Sequence, residues 1–304
     1  MSRSRRRSAG ERQPLQRWTH VATVLSAITA IVAVVYTGLS FHSTQAQTRM
    51  DINGGISDRL EAAARNLSAE GPSAREAAIR EFGRIARQWP DDQPDAMRLL
   101  ASFVRRHTRP TVSPPGRPTC PDRAVPVDVA TALEVIGSRD PAHDGDGPIN
   151  LSGACLNHAD LAGADFTCVN LDATHLEDAM LESATLVGAW LTGARLAGAS
   201  LYEARLGHAR MDRALLHAPG EEGTLVERAD LSDAVLTGAD LRGAYLAGAN
   251  LDRARIAGAD FRGADLTGAR LGTHLGGADF TGAKGVDKGA ALREPGPPRP
   301  SPCG

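Results

Sequence analysis

Residues 229–268 read ADLSD AVLTG ADLRG AYLAG ANLDR ARIAG ADFRG ADLTG, a pattern that repeats every five residues. The same register extends from Leu151 to Leu271, where 24 of the 25 positions spaced by five are apolar and only Glu221 is not. Alanine stands two residues before the apolar position at 20 of 24 sites, and glycine two residues after it at 12 of 25 sites. The repeat can therefore be written Ala-x-Leu-x-Gly.

A five-residue period excludes both a straight helix and a flat strand. On an α-helix a step of five residues rotates by about 140°, so the leucines would cover every face. On a strand the same step places successive leucines on opposite faces. The period is satisfied if the chain turns a corner once per repeat, with Ala and Leu pointing inward and Gly at the bend. This predicts a β-solenoid with a narrow interior, in keeping with only 12 aromatic residues in 304.

The repeats resemble a known family. Units such as ADLSD at 229–233 and ANLDR at 249–253 are similar to the A(D/N)LXX motif of pentapeptide-repeat proteins, and the resemblance covers 150–285. It implies a mainly β fold, a right-handed quadrilateral β-helix with four repeats per coil. The handedness and the square cross-section come from the resemblance. On this basis we expect just over six coils and a rod of roughly 30 Å, at about 4.8 Å per coil.

Two departures from the repeat are expected to change the coil. Between His217 and Leu225 the sequence APGEEGT loses the Ala and Leu sites. We expect a projecting loop or a distorted coil face there. Near the end, Leu271 is followed by Leu275 and Phe280, a one-residue deletion that we expect to deform the last coil.

The N-terminal part predicts a membrane anchor. Residues 1–17 form a basic tail with six Arg and one Glu, and residues 18–48 contain no charged side chain. The apolar run Val21–Phe41 would span about 32 Å as a helix, so we predict a transmembrane helix at 18–42. A signal peptide cleaved near Ala46 is the alternative, but the apolar run is longer than such peptides usually have. The positive-inside rule predicts a cytoplasmic N-terminus and an extracytoplasmic repeat domain.

Between the anchor and the repeats we predict an α-helical region at 43–109. An early helix includes Leu60, a second begins with Ser73 as N-cap and ends at Pro90, and a third runs from Pro94 to His107. Residues 110–149 are predicted to form a Pro-rich linker and a short helix that caps the first coil. The tail at 286–304 is predicted to be disordered because it is rich in Pro.

No arrangement of residues predicts catalysis. The chain has no phosphate-binding loop, nucleophile elbow or HExxH motif, and its four cysteines show no CxxC spacing that would indicate a zinc site or a disulfide-dense scaffold. We therefore predict that the chain is not an enzyme and has no catalytic, cofactor-binding or metal-binding residues. Several polar residues recur with the repeat, and for that reason we do not predict a site at them. They are Asp160, Asp165, Asp230, Asp240, Asp260, Asp265, His158, His175 and His208.

Charge and architecture together favour recognition. The net charge of −2 combines a basic N-terminus with a repeat region that holds 18 acidic and 11 basic residues. We predict a membrane-anchored, non-catalytic scaffold or protein–protein interaction module, with the bilayer as partner through 18–42 and an unidentified protein as partner of the rod. The resemblance also implies an alternative, a DNA-mimicking protein that binds and protects DNA gyrase. The anchor and the interspersed bases argue against that alternative, and the charge argues against a nucleic-acid partner. The 32 Arg against 2 Lys are typical of a bacterium with a GC-rich genome.

Overall fold

The computed structural model describes residues 60–113, 117–216, 229–272, 275–286 and 303. The predicted basic tail, the transmembrane helix at 18–42, the interruption after Leu216 and nearly all of the predicted disordered tail lie outside these residues. Within the described part of the chain, no helix combines the length and the apolar character needed to cross a bilayer.

A small helical region precedes the solenoid. Helix α1 covers 60–67, α2 Pro72–Gln88, α3 Gln93–His107 and α4 Val127–Gly137. Single 3₁₀ turns lie at Pro90–Asp92 and Pro141–His143. The prediction of Ser73 as an N-cap is wrong. The N-cap lies two residues earlier, at extended Gly71, and Pro72 is the first residue of α2, where its fixed φ suits the helix start.

The helices form one apolar core. Helices α2, α3 and α4 each contact the other two, and Arg75 of α2 forms a 2.6 Å ion pair with Asp128 at the start of α4. Burying each aliphatic or aromatic side chain of this kind stabilises a fold by roughly 1.5–3 kcal/mol. The buried residues are Ile79, Phe82, Ile85, Met97, Leu100, Phe103, Val104, Val129, Leu133 and Ile136.

The predicted Pro-rich linker contains a short β-hairpin. Strands β1 (Thr111–Ser113) and β2 (Arg117–Thr119) are antiparallel, and Thr111 pairs with Thr119. Cys120 follows directly and forms a disulfide with Cys155 in the first coil. The hairpin is therefore tied covalently to the solenoid.

Each coil of the solenoid contains four repeats and has four sides. Parallel β-bridges join every fourth repeat in four separate columns, which begin with the pairs Asn150–Asn170, Cys155–His175, Asp160–Met180 and Asp165–Thr185. The pairing also includes the two-residue strands β3 (Asn250–Leu251) and β4 (Arg270–Leu271). Successive coils are held by backbone hydrogen bonds, such as Leu191 N–H to the Arg210 carbonyl at 2.7 Å. The structure thus has the four repeats per coil that the family resemblance implies.

The interior is built from the Ala and Leu sites. Leu186 is 1% exposed and Leu236 is fully buried, and the alanines beside them are equally inaccessible. Thr174 replaces Ala at one site and is also fully buried. Its hydroxyl donates a 2.6 Å hydrogen bond to the Leu171 carbonyl, which satisfies the polar group.

The corners explain the Asp or Asn of the motif. Where Asp or Asn precedes the apolar residue, its side chain accepts a hydrogen bond from the N–H two residues further on, as in Asp165 to Thr167 at 2.8 Å and Asn250 to Asp252 at 3.1 Å. The next residue has a left-handed φ, +66° at Gly153, which is why Gly recurs there. Ten other residues adopt the same conformation: His158, Cys168, Ala173, Asp178, Ser183, Glu203, His208, Arg213, Asp233 and Arg253.

The two departures from the repeat appear in the ladder. Ser200 pairs with Asp230, and Ala229 N–H donates to the Leu216 carbonyl at 3.0 Å. The ladder therefore passes from Leu216 to Ala229, and the predicted 25 repeats include two units that it bypasses. Asp260 pairs with Asp279 and not with Phe280, so the register shortens by one position, as the predicted deletion requires.

The open edge of the first coil is covered by the ends of two helices. The Thr108 carbonyl, at the end of α3, accepts a 2.8 Å hydrogen bond from Cys155 N–H, and the Gly137 carbonyl of α4 accepts one from Asp165 N–H at the same distance. A side chain at Gly137 would have its Cβ 2.7 Å from the Cβ of Ala164, so the close approach requires glycine. The edge that would otherwise expose unpaired backbone is thus hydrogen-bonded to the helical region.

Candidate interaction surface

An acidic region lies on the third side of the first coils. This column begins with Asp160, Met180 and Ser200, which stack on one another through the β-bridges. Asp178 occupies the corner before Met180, and Glu182 lies in the corner after it. Glu203 lies one coil further along that second corner, with an oxygen 3.4 Å from the Ser183 hydroxyl. We call Asp160, Met180, Asp178, Glu182 and Glu203 the acidic surface.

The acidic surface combines negative charge with an exposed apolar centre. Met180 is 44% exposed, and none of the four carboxylates forms an ion pair with Lys or Arg of the described residues. The chargeable group beside them is His158, whose Nδ1 lies 4.0 Å from Asp178. Flexible, polarisable Met side chains are frequent on binding surfaces, and a rim of like charge attracts partners of opposite charge.

At the edges of the acidic surface, neighbouring charges and hydrogen bonds shift the pKa values of Tyr202 and Glu177. A hydrogen bond to Glu203 and the charge of that carboxylate raise the pKa of the Tyr202 hydroxyl. On the other edge, burial acts to raise the pKa of Glu177, but hydrogen bonds from His175 and the backbone and the charge of Arg195 outweigh it, so the pKa is lowered. Glu177 is therefore ionised and partly neutralised by Arg195.

Five of the seven acidic residues at 229–286 form ion pairs with arginine. Arg242 lies 2.6 Å from Asp240 and 3.8 Å from Asp260, and Arg262 lies 2.6 Å from Asp260. Arg253 bonds to Asp233 and, by that hydrogen bond, lowers the pKa of the carboxyl. The first and the later coils therefore have the same kind of buried Ala and Leu sites but differ in the pairing of their surface charges.

The polar residues that recur with the repeat do not converge on a pocket. Asp165, Asp230 and Asp240 each accept the N–H of their own corner turn. The same holds for Asp160, Asp260 and Asp265. No group of three His, Cys, Asp or Glu side chains that could hold a metal ion occurs in the ranges the structure describes.

The histidines of the repeat lie apart from one another. His158 lies 2.7 Å from Asp122, and His175 lies 3.5 Å from Glu177. The ring of His208 packs over Gly238 of the next coil. Each imidazole contacts a different residue, so the three histidines do not share a site.

All four cysteines are joined in disulfides that the sequence does not predict. Besides Cys120–Cys155, Cys168 of the first coil is bonded to Cys303. The partners are 35 and 135 residues apart, so no local spacing reveals them. Cys303 belongs to the segment predicted to be disordered, yet it is fixed to the first coil.

Comparison with protein families identifies the same five-residue repeat. The family model described as pentapeptide repeats matches in eight copies, at 149–182, 179–217 and 229–268. Among curated proteins, none matches the chain significantly.

Several solved structures are similar over the repeat. QnrB1, a plasmid-mediated fluoroquinolone resistance protein, is 20% identical over 48% of this chain and 78% of its own, with a TM-score of 0.27. HetL, a pentapeptide repeat protein involved in heterocyst differentiation regulation from the cyanobacterium Nostoc sp. strain PCC 7120, is 31% identical over 44% of this chain and 73% of its own, with a TM-score of 0.17. Rfr23, from the cyanobacterium Cyanothece 51142, is 29% identical over 40% and 63%, with a TM-score of 0.18.

The motif, the four-repeat coil, the corner hydrogen bonds and the family match all concern the same part of the chain. The right-handed winding of the β-helix is what this family implies. By its repeat region the chain belongs to the pentapeptide-repeat family.

Proposed function

We propose that this chain is a membrane-anchored, non-catalytic interaction module whose first coils bind a protein partner through the acidic surface. The observation that carries the proposal is the contrast between the ends of the rod. The acids around Met180 have no Lys or Arg counter-ion among the described residues, whereas those of the later coils are paired with Arg242, Arg253 and Arg262. Unneutralised charge around an exposed apolar residue is suited to a basic partner surface.

The anchor is part of the proposal. The apolar, uncharged segment 18–42 is long enough to span a bilayer, and the six arginines before it favour a cytoplasmic N-terminus. The pairing of all four cysteines supports an extracytoplasmic rod, because disulfides persist in oxidising compartments and are rare in the cytosol. The acidic surface would then be presented outside the cytoplasm.

The recognition surface is tested by neutralising its charges. The variant Asp160→Asn, Asp178→Asn, Glu182→Gln, Glu203→Gln removes four negative charges without touching the interior. The matched control, Asp233→Asn, Asp252→Asn, Asp260→Asn, Asp279→Asn, changes the net charge by the same amount on the later coils. After chemical cross-linking in native membranes, we expect the first variant to lose the cross-linked species of the unmodified chain and the control to keep it. Equal loss in both variants would show that the effect is only one of net charge.

The orientation is tested separately with a C-terminal epitope tag. In intact spheroplasts we expect added protease to remove the tag, because the repeat domain is proposed to lie outside. Protection of the tag until the membrane is opened would overturn the orientation. Release of the unmodified chain into the soluble fraction would remove the anchor from the proposal.

The charges of the later coils also argue against the DNA-mimicking alternative. A rod that replaces DNA on gyrase needs negative charge along its length, and here Arg242, Arg253 and Arg262 neutralise the later coils. The fluoroquinolone resistance stated for QnrB1 is a property of that protein. A change in gyrase supercoiling caused by the purified chain would favour the alternative over the proposed interaction module.

A further inference from the structure

The two disulfides have different surroundings. Cys155 is only 6% exposed and lies in a coil, where its N–H is bonded to the Thr108 carbonyl, so only its partner Cys120 is partly exposed. Cys168 and Cys303 are both partly exposed, and both line a cavity of about 400 Å³ beside the first coil. A thiolate must reach one sulfur of a disulfide to exchange with it, so access differs between the two bonds.

The cavity beside Cys168 and Cys303 offers an apolar wall. Trp190 lies one coil further along, and Pro141, Ala142 and Pro148 close the side next to the helical region. Asp144 also lines the cavity, but its carboxylate is bound by Arg139 at 2.6 Å and so does not repel an approaching thiolate as a lone charge would. The cavity is large enough to admit a few side chains of a partner protein.

The coil does not need the second disulfide to keep its path. Cys168 is held at its corner by backbone hydrogen bonds: its N–H donates to the Val187 carbonyl at 3.0 Å, and the Thr167 carbonyl accepts the side chain of Arg139 at 2.8 Å. Cys303, by contrast, lies beyond the last repeat and takes no part in the ladder of β-bridges. Breaking this bond leaves the coils hydrogen-bonded to one another, whereas breaking Cys120–Cys155 removes the covalent link between the hairpin and the first coil.

We propose that Cys168–Cys303 is a thiol–disulfide exchange site, and that its reaction partner is a dithiol oxidoreductase. One thiolate of the dithiol attacks a sulfur of the bond, the other cysteine leaves as a thiolate, and a mixed disulfide forms. The second thiol of the dithiol then attacks the mixed disulfide. Two electrons and two protons pass to Cys168 and Cys303, and the dithiol becomes a disulfide. This inference does not depend on the acidic surface.

The test is differential alkylation of the full chain in detergent under native conditions. The chain is exposed to graded concentrations of dithiothreitol and new thiols are trapped with iodoacetamide. The remaining disulfides are then reduced in denaturant and labelled with N-ethylmaleimide for mass spectrometry. We expect Cys168 and Cys303 to be trapped at least ten times faster than Cys120 and Cys155. Equal rates, or faster trapping of Cys120 and Cys155, would overturn the proposal.

A second measurement separates exchange from a structural role. When only Cys168–Cys303 is reduced, we expect the far-ultraviolet circular dichroism of the rod to stay unchanged, whereas a loss of signal would contradict the proposal. Two variants provide the matched comparison. Cys303→Ser leaves Cys168 as a single thiol, which should react rapidly with a small disulfide reagent, and Cys120→Ser leaves the buried Cys155, which should react slowly. A slow reaction of Cys168 would also overturn the assignment.

Discussion

The first and the later coils of the solenoid have the same interior and opposite exteriors. Leu186 and Leu236 are both buried in equivalent positions, with Ala beside each. Outside, the first coils present carboxylates around Met180, while the later coils pair theirs with arginine. The same buried Ala and Leu sites therefore support different outward-facing side chains on the first and the later coils.

The ends of the rod differ as well. The first coil is covered by backbone groups of α3 and α4, by the buried side chain of Arg139 and by both disulfides. The last coil is adjusted by a one-residue deletion, and Phe280 stacks on Phe261 with ring centres 5.0 Å apart. One end is therefore fixed by polar and covalent links and the other by apolar stacking.

The largest expected effect is at the covered end. The side chain of Arg139 is fully buried and bonds to Asp144 and to the carbonyl oxygens of Asp165 and Thr167. Arg139→Met would leave these acceptors unpaired, and we expect the free energy of unfolding to fall by about 3–5 kcal/mol. Arg262→Met on the later coils removes an ion pair of a half-exposed side chain. The free energy of unfolding, as measured by chemical denaturation, should fall far less than in Arg139→Met, because solvent screens an exposed ion pair. Equal losses in the two variants would contradict the proposed difference between the ends.

We expect the substitution of a buried leucine to destabilise the first and the later coils equally. Leu186→Ala and Leu236→Ala each remove a fully packed side chain, and each should lower the free energy of unfolding by roughly 2–5 kcal/mol, as measured by chemical denaturation. The account predicts that the two losses agree within about 1 kcal/mol, because the cavities are equivalent. A loss confined to one variant would show that the coils are not interchangeable inside.

A smaller effect is expected at the corners. Arg213 and Gly243 occupy the same corner in neighbouring coils, with φ of +58° and +63°. Gly243→Ala meets no atom closer than 4.0 Å, so only its left-handed backbone is penalised, by about 1–2 kcal/mol. Arg213→Gly should raise thermal stability instead, because glycine adopts this conformation without that penalty. If both variants lowered the melting temperature, side-chain contacts rather than backbone conformation would govern the corners.

The sequence was most informative where the structure is periodic. The Ala and Leu sites predicted a solenoid, the family resemblance implied its four sides, and the missing residue before Phe280 predicted a change in the last coil. The N-cap of α2 was misplaced because Gly71 and Pro72 form the helix start by backbone geometry alone. The hairpin after α3 was hidden in a Pro-rich segment.

The surface depends on spatial proximity that the chain order does not show. Asp160, Met180 and Glu203 are neighbours only because the chain returns to the same side after every four repeats. The acidic excess of the repeat region was visible in the sequence, but the cluster of carboxylates around Met180 was not. Likewise, Cys168 and Cys303 are 135 residues apart in the chain and are neighbours only in the folded structure.

The central claim is that the first coils, and not the later ones, contact a partner. Met180 and Tyr245 are similarly exposed, at 44% and 47%, on the first and the later coils. A photo-activatable amino acid introduced at either position, in the full chain in its native membrane, tests the claim directly. The account predicts a cross-linked partner from position 180 and none from position 245. Cross-linking of the same partner from position 245, or from neither position, would contradict it.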